Sequence, residues 1–168
     1  MSEKIEVRAS PVGGLGIFAR VALAAGERVR EFVLGREVTA EAPLRPEHGE
    51  LPEYCPLIDG RFYLVGFPDR HFNHSCDPNC YKRFGPERID VMTRRAIEAG
   101  EELCFDYLIN NPGGDSWPCS CGAERCRGMT GHGFFTLPEP IQREYRSLLA
   151  PWFVARFEKE LRALGEAR

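Results

Sequence analysis

The sequence predicts a mostly β domain of short strands, followed by two C-terminal helices. Its 168 residues include 17 glycines and 13 prolines, a density that favours short segments joined by turns over a helical bundle. Between these breaks, apolar and polar residues alternate as they do in half-buried strands. Helical spacing of apolar residues is found only near the C-terminus. With 43% apolar residues, the chain is long enough to form one globular core.

Strand-like segments occupy most of the first 110 residues. Alternation and β-branched or aromatic content predict strands at 4–8, 17–23, 28–38 (bent around Gly35), 61–67, 88–97 and 103–109. The Pro- and Glu-rich residues 40–56 predict a surface loop with a short helix. The polar segment 69–85, dense in Asn, His and Cys, is unlike a core element.

The C-terminal residues follow a helical period. A first helix is predicted by four apolar residues on one face, Ile141, Tyr145, Leu148 and Leu149. A second is predicted to begin at Pro151, which suits a first helical turn, and its apolar face consists of Phe153, Phe157, Leu161 and Leu164. The expected organisation is therefore a strand-rich body at 4–110, a cysteine-rich knuckle at 117–130 and a helical extension at 138–165.

Composition limits the partners and the compartment. The net charge is −3, so no basic excess predicts binding to nucleic acid. No apolar stretch approaches the ~20 residues of a membrane span, and the first ten residues lack the apolar core of a signal peptide. We therefore expect an intracellular protein without a membrane partner, cytoplasmic in a bacterium or nuclear in a eukaryote. Seven cysteines in a reducing compartment favour metal binding, catalysis or burial over disulfides.

The glycine-rich segment 14–19, GLGIFA, matches the dinucleotide-binding pattern G-x-G-x-x-G/A. An oxidoreductase of that type needs a full helix after the glycines and repeated β-α-β units. Here Gly26 ends any such helix after about two turns, and no α/β alternation follows. A glycine-rich hairpin turn is as consistent with the local sequence as a ligand-binding role.

Three cysteines, Cys119, Cys121 and Cys126, lie within eight residues. Clustered exposed thiols oxidise readily, so the spacing favours a metal site over three free thiols. Structural Zn²⁺ takes four ligands in a tetrahedron, and the knuckle supplies three. Spacing alone leaves the fourth open among Cys55, Cys76, Cys80, Cys104, His74 and His132.

Two further segments concentrate polar chemistry, NHSCDPNC at 73–80 and GEELCFDY at 100–107. Taken singly, their residues have ordinary explanations as turns, backbone caps and a packed tyrosine. In combination with GGLGIFA before them and CSCGAERCRG after them, they make the chain resemble the SET-domain protein lysine methyltransferases that carry a post-SET zinc knuckle. The resemblance covers about residues 4–130.

This resemblance implies a SET-type β-clip with a knot-like core, where the NHSC and ELCFDY segments thread past each other. It implies S-adenosylmethionine as methyl donor and a protein substrate, histone or other, that carries the target lysine. The implied donor-binding residues are Gly14, Leu15, Gly16, Asn73 and His74, with Tyr54 as a looser candidate. By this resemblance, Tyr107 corresponds to the active-site tyrosine. Phe105 corresponds to the position at which a Phe accompanies higher methylation states. The implied zinc ligands are Cys76, Cys119, Cys121 and Cys126.

The implied reaction suits these residue types. A lysine amine must lose its proton before it attacks a methyl group, which costs roughly 4 kcal/mol at neutral pH. An aromatic channel lowers this cost by desolvation, and a nearby sulfonium lowers it by like-charge repulsion. Tyr107 then orients the amine, since alignment alone lowers a barrier substantially. The alternative is a catalytically silent SET-like module, stabilised by zinc, that binds protein through the same groove.

Overall fold

The computed structural model describes residues 3–166. The described chain forms ten short strands: β1 (Ile5–Ala9), β2 (Leu15–Ala19), β3 (Arg28–Phe32), β4 (Leu34–Val38), β5 (Leu57–Ile58), β6 (Arg61–Val65), β7 (Asn73–His74), β8 (Cys80–Phe84), β9 (Ile89–Thr93) and β10 (Cys104–Phe105). Its α-helices are α1 (Glu139–Tyr145), α2 (Pro151–Arg156) and α3 (Glu158–Glu166). Within residues 3–166, no helix has the length and apolar character needed to cross a membrane.

The strands pair into small sheets, which confirms the mostly β class. Strands β1 and β2 form an antiparallel hairpin, β9 lies between β3 and β8, and β6 lies between β4 and β5. Strands β7 and β10 pair in parallel although about thirty residues separate them, with Asn73 opposite Cys104 and His74 opposite Phe105. This pairing places the NHSC and ELCFDY segments side by side in the core.

The glycine-rich segment forms the turn of the β1–β2 hairpin. Ala9 pairs with Leu15, and the Ser10 N–H donates to the Gly14 carbonyl at 3.0 Å. Gly14 has φ of +60°, a left-handed conformation that favours glycine. Gly16 is buried in β2, where a Cβ would overlap the Glu102 carboxylate. No helix follows β2, so the dinucleotide-binding interpretation is excluded.

The bend in residues 28–38 falls at Val33, between β3 and β4, and not at Gly35 as predicted. Gly35 lies inside β4, where a Cβ would stand 2.5 Å from the backbone carbonyl of Leu64 on the neighbouring strand. The glycine is therefore explained by close approach of two backbones rather than by a turn. In the predicted loop 40–56 the helical structure consists of two short 3-10 turns, Pro46–His48 and Pro52–Tyr54.

The strand predicted at 103–109 is much shorter than expected. Only Cys104 and Phe105 pair as β10, and a turn begins directly after Asp106. The Asp106 carboxylate accepts a hydrogen bond from the Leu108 N–H at 3.1 Å, which is how an aspartate replaces strand pairing with a local turn. Tyr107 therefore lies in a turn and not at the end of a strand.

The prediction that residues 69–85 avoid the core is wrong. This segment contains β7 and β8, and Asn79 between them is 5% exposed. The Asn79 side-chain amide donates to the Glu102 carbonyl at 2.8 Å and accepts from the Cys104 N–H at 2.9 Å. A polar residue is stable here because it satisfies backbone groups that would otherwise be buried without partners.

The C-terminal helical region begins and ends close to the prediction but has one more break. Helix α1 ends at Tyr145 and continues as a 3-10 turn to Leu148. The second predicted helix begins at Pro151 as expected, and Phe157 (φ −116°, ψ 30°) divides it into α2 and α3. Its apolar face joins a second core cluster, formed by Leu108, Phe134, Leu137, Tyr145, Ala150, Phe153 and Leu161. Through Leu108, the helices pack against the turn that carries Tyr107.

Candidate active site and metal centre

Four cysteines meet at one point of the structure. The Sγ atoms of Cys76, Cys119, Cys121 and Cys126 all lie within 4.8 Å of one another. The Cys76 and Cys119 sulfurs are 3.7 Å apart, and a tetrahedron with zinc–sulfur bonds of about 2.3 Å has edges of roughly 3.8 Å. Of the residues that the sequence left open as fourth ligand, the structure brings Cys76 to the three knuckle thiols. This cysteine cluster can hold a metal ion.

Backbone N–H groups and burial set the charge of the cysteine cluster. Burial raises the pKa of the Cys76 thiol to about 12. Burial also opposes ionisation of Cys121, but the backbone N–H groups of Cys76 and Ala123 and the neighbouring thiols outweigh it and lower the Cys121 pKa to about 7. Several buried thiols ionise together only beside a cation. A soft divalent cation such as Zn²⁺ fits this all-sulfur donor set.

His74 links the cysteine cluster to Tyr107. Its Nε2 lies 3.4 Å from Cys76 Sγ, and its Nδ1 accepts a hydrogen bond from the Tyr107 backbone N–H at 3.2 Å. Burial lowers the pKa of His74 to about 4, against the attraction of Asp106. The imidazole is therefore neutral, and with Nδ1 as acceptor we assign its proton to Nε2. The contacts found for His74 thus support the cysteine cluster and the Tyr107 turn, whereas the resemblance implies a donor contact.

Asn73 joins the glycine hairpin to the second polar segment. Its side-chain amide donates to the Leu15 carbonyl at 3.1 Å and to the Glu102 carboxylate at 2.6 Å. The other Glu102 oxygen accepts from the Ser10 hydroxyl at 2.8 Å. The structure therefore brings Asn73 together with residues 14–16, as the resemblance implies. Glu102, a member of the GEELCFDY segment to which the sequence analysis gave no role of its own, bonds to both Asn73 and Ser10 and so holds the three segments together.

Tyr107 and Phe105 lie on either side of Asp106 and have different environments. The Tyr107 hydroxyl donates to the Phe72 carbonyl at 2.7 Å, while the residue is 39% exposed. Burial of the hydroxyl raises its pKa above the ordinary value, so it remains protonated at neutral pH. Phe105 is buried and stacks on Phe72 with ring centroids 4.4 Å apart, and Phe32 meets it edge-on at 6.2 Å. We call Phe32, Phe72 and Phe105 the aromatic group.

Tyr54 lies apart from the other implied donor residues. It ends the 3-10 turn Pro52–Tyr54, and its ring meets His71 at 6.4 Å while the Arg70 guanidinium covers it at 5.1 Å. These contacts place Tyr54 against the turn just before Phe72. The contacts found in the described structure do not join it to residues 14–16 or to Asn73.

A buried ion pair that the sequence analysis missed connects three parts of the chain. The Arg127 guanidinium donates to both oxygens of Asp106, at 2.8 and 3.1 Å, and the Tyr145 hydroxyl donates to the same carboxylate at 3.3 Å. The Arg127 N–H also donates to Cys76 Sγ at 3.4 Å. Asp106, a charged residue between Phe105 and Tyr107, is the one feature of the sequence that indicates such a pair, because a buried carboxylate requires a partner.

Comparison with known proteins identifies the family. A family model described as the SET domain matches residues 14–108, which is more than half of the chain. The chain belongs to the SET-domain family. The match begins in the glycine-rich turn and ends directly after Tyr107, so it covers the β7–β10 pair and every implied donor residue. The SET resemblance drawn from the motifs is therefore confirmed.

Several curated proteins are similar to this SET-domain chain. The histone-lysine N-methyltransferase ash1 of Drosophila melanogaster is 32% identical over 133 residues, which are 70% of this chain and 6% of that protein. An H3 lysine-36 specific histone-lysine N-methyltransferase of Aspergillus oryzae is 44% identical over 132 residues, 70% of this chain and 14% of that protein. Human histone-lysine N-methyltransferase 2B is 31% identical over 139 residues, which are 74% of this chain and 5% of that protein. The chain thus spans only a small part of each of these relatives.

Proposed function

We propose that this SET-domain chain transfers methyl groups from S-adenosylmethionine to a lysine side chain of a protein. The observation that supports the proposal is the parallel β7–β10 pair: Asn73, which bonds to the Leu15 carbonyl of the glycine hairpin, lies opposite Cys104, next to the segment that carries Phe105 and Tyr107. We propose residues 4–110 as the SET domain, 117–130 as a post-SET knuckle that binds Zn²⁺, and 138–165 as a helical extension. The names of the relatives make histone peptides the first substrates to test.

In this proposal the donor binds at the β1–β2 turn. Gly14, where a Cβ would meet nothing within 4 Å, leaves space for a ligand to approach the backbone closely, and Leu15, at 45% exposed, lies at the same edge. Gly16 offers only its backbone, because the Glu102 carboxylate fills the space that a side chain would need. The Asn73 side chain fixes this edge through the Leu15 carbonyl. Donor binding therefore depends on Asn73 both as a polar contact and as a brace for residues 14–16.

Replacement of Asn73 by Ala is expected to weaken S-adenosylmethionine binding more than tenfold, about 1.4 kcal/mol. The change removes the amide that bonds to the Leu15 carbonyl and the Glu102 carboxylate. Isothermal titration calorimetry on folded protein measures the effect. Asn111→Ala, in a loop where the amide oxygen accepts from the Gly113 N–H, is the control. An unchanged dissociation constant in Asn73→Ala removes Asn73 from the donor site.

The residues around Tyr107 suit a reaction that requires a neutral amine. The aromatic group excludes water, which lowers the roughly 4 kcal/mol that deprotonation of a lysine costs at neutral pH. The donor supplies the methyl group and its leaving group in a single in-line displacement. Tyr107 is held at two points, since its hydroxyl donates to Phe72 and its N–H donates to His74. Such fixed groups align a substrate without rearrangement during the reaction.

Replacement of Phe105 by Tyr is expected to shift the products toward monomethyl-lysine while much of the activity remains. Phe105 is 4% exposed and stacked on Phe72, so an added hydroxyl takes up space where a methylated amine would fit. Mass spectrometry of a substrate peptide over time gives the product distribution. A distribution identical to that of the unaltered protein would show that Phe105 does not line the lysine channel.

The second candidate function is a protein-binding module without catalysis, which uses the same groove. The Tyr107 hydroxyl, held in place by the Phe72 carbonyl, and the Asn73 brace favour the enzyme. The deciding experiment incubates the purified chain with labelled S-adenosylmethionine and histone octamers or lysate proteins, and maps the label by mass spectrometry. Transfer to lysine supports the enzyme. Donor binding below detection by calorimetry together with no transfer supports the silent module.

A further inference from the structure

The Lys82 amine lies beside the aromatic group. Its Nζ atom is 4.5 Å from the centroid of the Phe32 ring and 5.2 Å from that of Phe105. Strand pairing directs the Lys82 side chain inward. Lys82 on β8 lies opposite Val91 on β9, and Val91 is fully buried. The next residue, Arg83, faces outward and pairs with Asp90 at 3.1 Å. Alternation of side chains along β8 thus fixes which side Lys82 faces.

This ammonium is poorly compensated. No hydrogen bond or ion pair found among the described residues involves Lys82, and Asp69 attracts it only at longer range. Cation–π contacts with Phe32 and Phe105 recover only part of the free energy that a charge loses on leaving water. Burial accordingly lowers the pKa of Lys82 to about 8. A costly ionisable group placed against a reaction site is a candidate for a functional role.

We propose that Lys82 promotes the methyl transfer through its positive charge, which disfavours the protonated form of a substrate lysine held against the aromatic group. The inference rests on the proposed function, which assigns Phe105 to the lysine channel. Two ammonium groups that share one aromatic group repel each other in a poorly solvated space. Below about pH 8, where Lys82 holds its charge, the substrate amine therefore binds its proton less tightly than it would beside an uncharged residue.

Other charges around Lys82 are arranged so that this repulsion persists. Asp69, 4% exposed, is the carboxylate facing the amine. Arg30 pairs with Asp69 at 3.2 Å, and Glu31 lies near the same carboxylate. Because Arg30 already compensates Asp69, the carboxylate does not neutralise Lys82 by direct contact. Lys82 therefore remains the cation in contact with the Phe32 and Phe105 rings.

The test is the pH dependence of kcat with a substrate peptide, from about pH 6 to 10, because kcat reports ionisations in the enzyme–substrate complex. Lys82→Met and Lys82→Gln remove the charge. In these variants we expect the acidic limb of the kcat–pH profile to shift to higher pH by roughly one unit. At a fixed pH on that limb, this shift is a loss of about tenfold in kcat. Lys82→Arg keeps the charge and should keep the limb near its original position. Lys159→Met, in the exposed face of α3, is the matched control among the three lysines.

The outcomes separate the two proposals. The role of Lys82 would be overturned if the unaltered enzyme is active and its kcat–pH profile coincides with those of Lys82→Met and Lys82→Gln. The methyltransferase proposal would then stand. An unaltered chain that binds no donor and methylates no substrate overturns the proposed function, and the role of Lys82 falls with it. Methylation of Lys82 itself, detected by intact mass after incubation with donor alone, would also overturn the inference, since the residue would then be a methyl acceptor. A melting curve for each variant confirms that folded protein is compared.

Discussion

Replacement of Tyr107 by Phe is expected to reduce methyl transfer at least a hundredfold, about 2.7 kcal/mol of barrier, while donor binding and the fold are retained. The ring is preserved, so its 5.2 Å edge contact with His74 and the cover it gives to the site remain. The change removes the hydroxyl that donates to the Phe72 carbonyl. That carbonyl belongs to the residue stacked on Phe105, so both the orienting hydroxyl and the position of the aromatic group are affected.

The measurement is single-turnover methyl transfer alongside calorimetric donor binding. Tyr81→Phe, on β8 outside the site, loses the same hydroxyl and should behave like the unaltered protein. If Tyr107 serves only for packing, Tyr107→Phe will retain full turnover. That result would remove Tyr107 from the site and leave the enzyme proposal without its orienting group.

Replacement of Cys121 by Ser is expected to abolish binding of about one Zn²⁺ per chain and to loosen residues 117–130. Three of the four sulfurs come from this segment, whose backbone bonds to itself only sparsely, for example from the Cys119 N–H to the Gly128 carbonyl. Structural zinc contributes on the order of 10 kcal/mol to the folding of small sites. The strand body, with its own apolar cluster, should remain folded.

Metal analysis of reduced protein and hydrogen exchange over 117–130 measure this effect. Cys55→Ser is the matched control, because the Cys55 thiol lies outside the cysteine cluster and donates to the Leu51 carbonyl at 3.6 Å. Zinc bound equally by Cys121→Ser, or absent from the unaltered protein, would contradict the assignment. Protection lost throughout the chain would show instead that the knuckle supports the whole fold.

Local patterns were sufficient for several features of this protein. Alternation identified the strand-rich body, the glycines of residues 13–16 identified a turn, and Pro151 marked the start of a helix, as the structure has them. Three thiols within eight residues indicated a metal site because their spacing is itself the chemical signal. The motif combination was sufficient for the SET-domain family, since short segments in a fixed order are read directly from the chain.

Other features depended on contacts between distant residues. Spacing did not select Cys76 from six candidate fourth ligands, since it lies 45 residues from Cys121, and only the fold brings their sulfurs together. The strand predicted at 103–109 ends early because the Asp106 side chain captures the Leu108 N–H. In the sequence, nothing distinguishes Lys82 from an ordinary strand lysine. Only the fold brings Phe32 on β3 and Phe105 on β10 against its amine. Sequence periodicity reports which face of a segment is buried, but the partner on that face is decided by strand pairing across the whole chain.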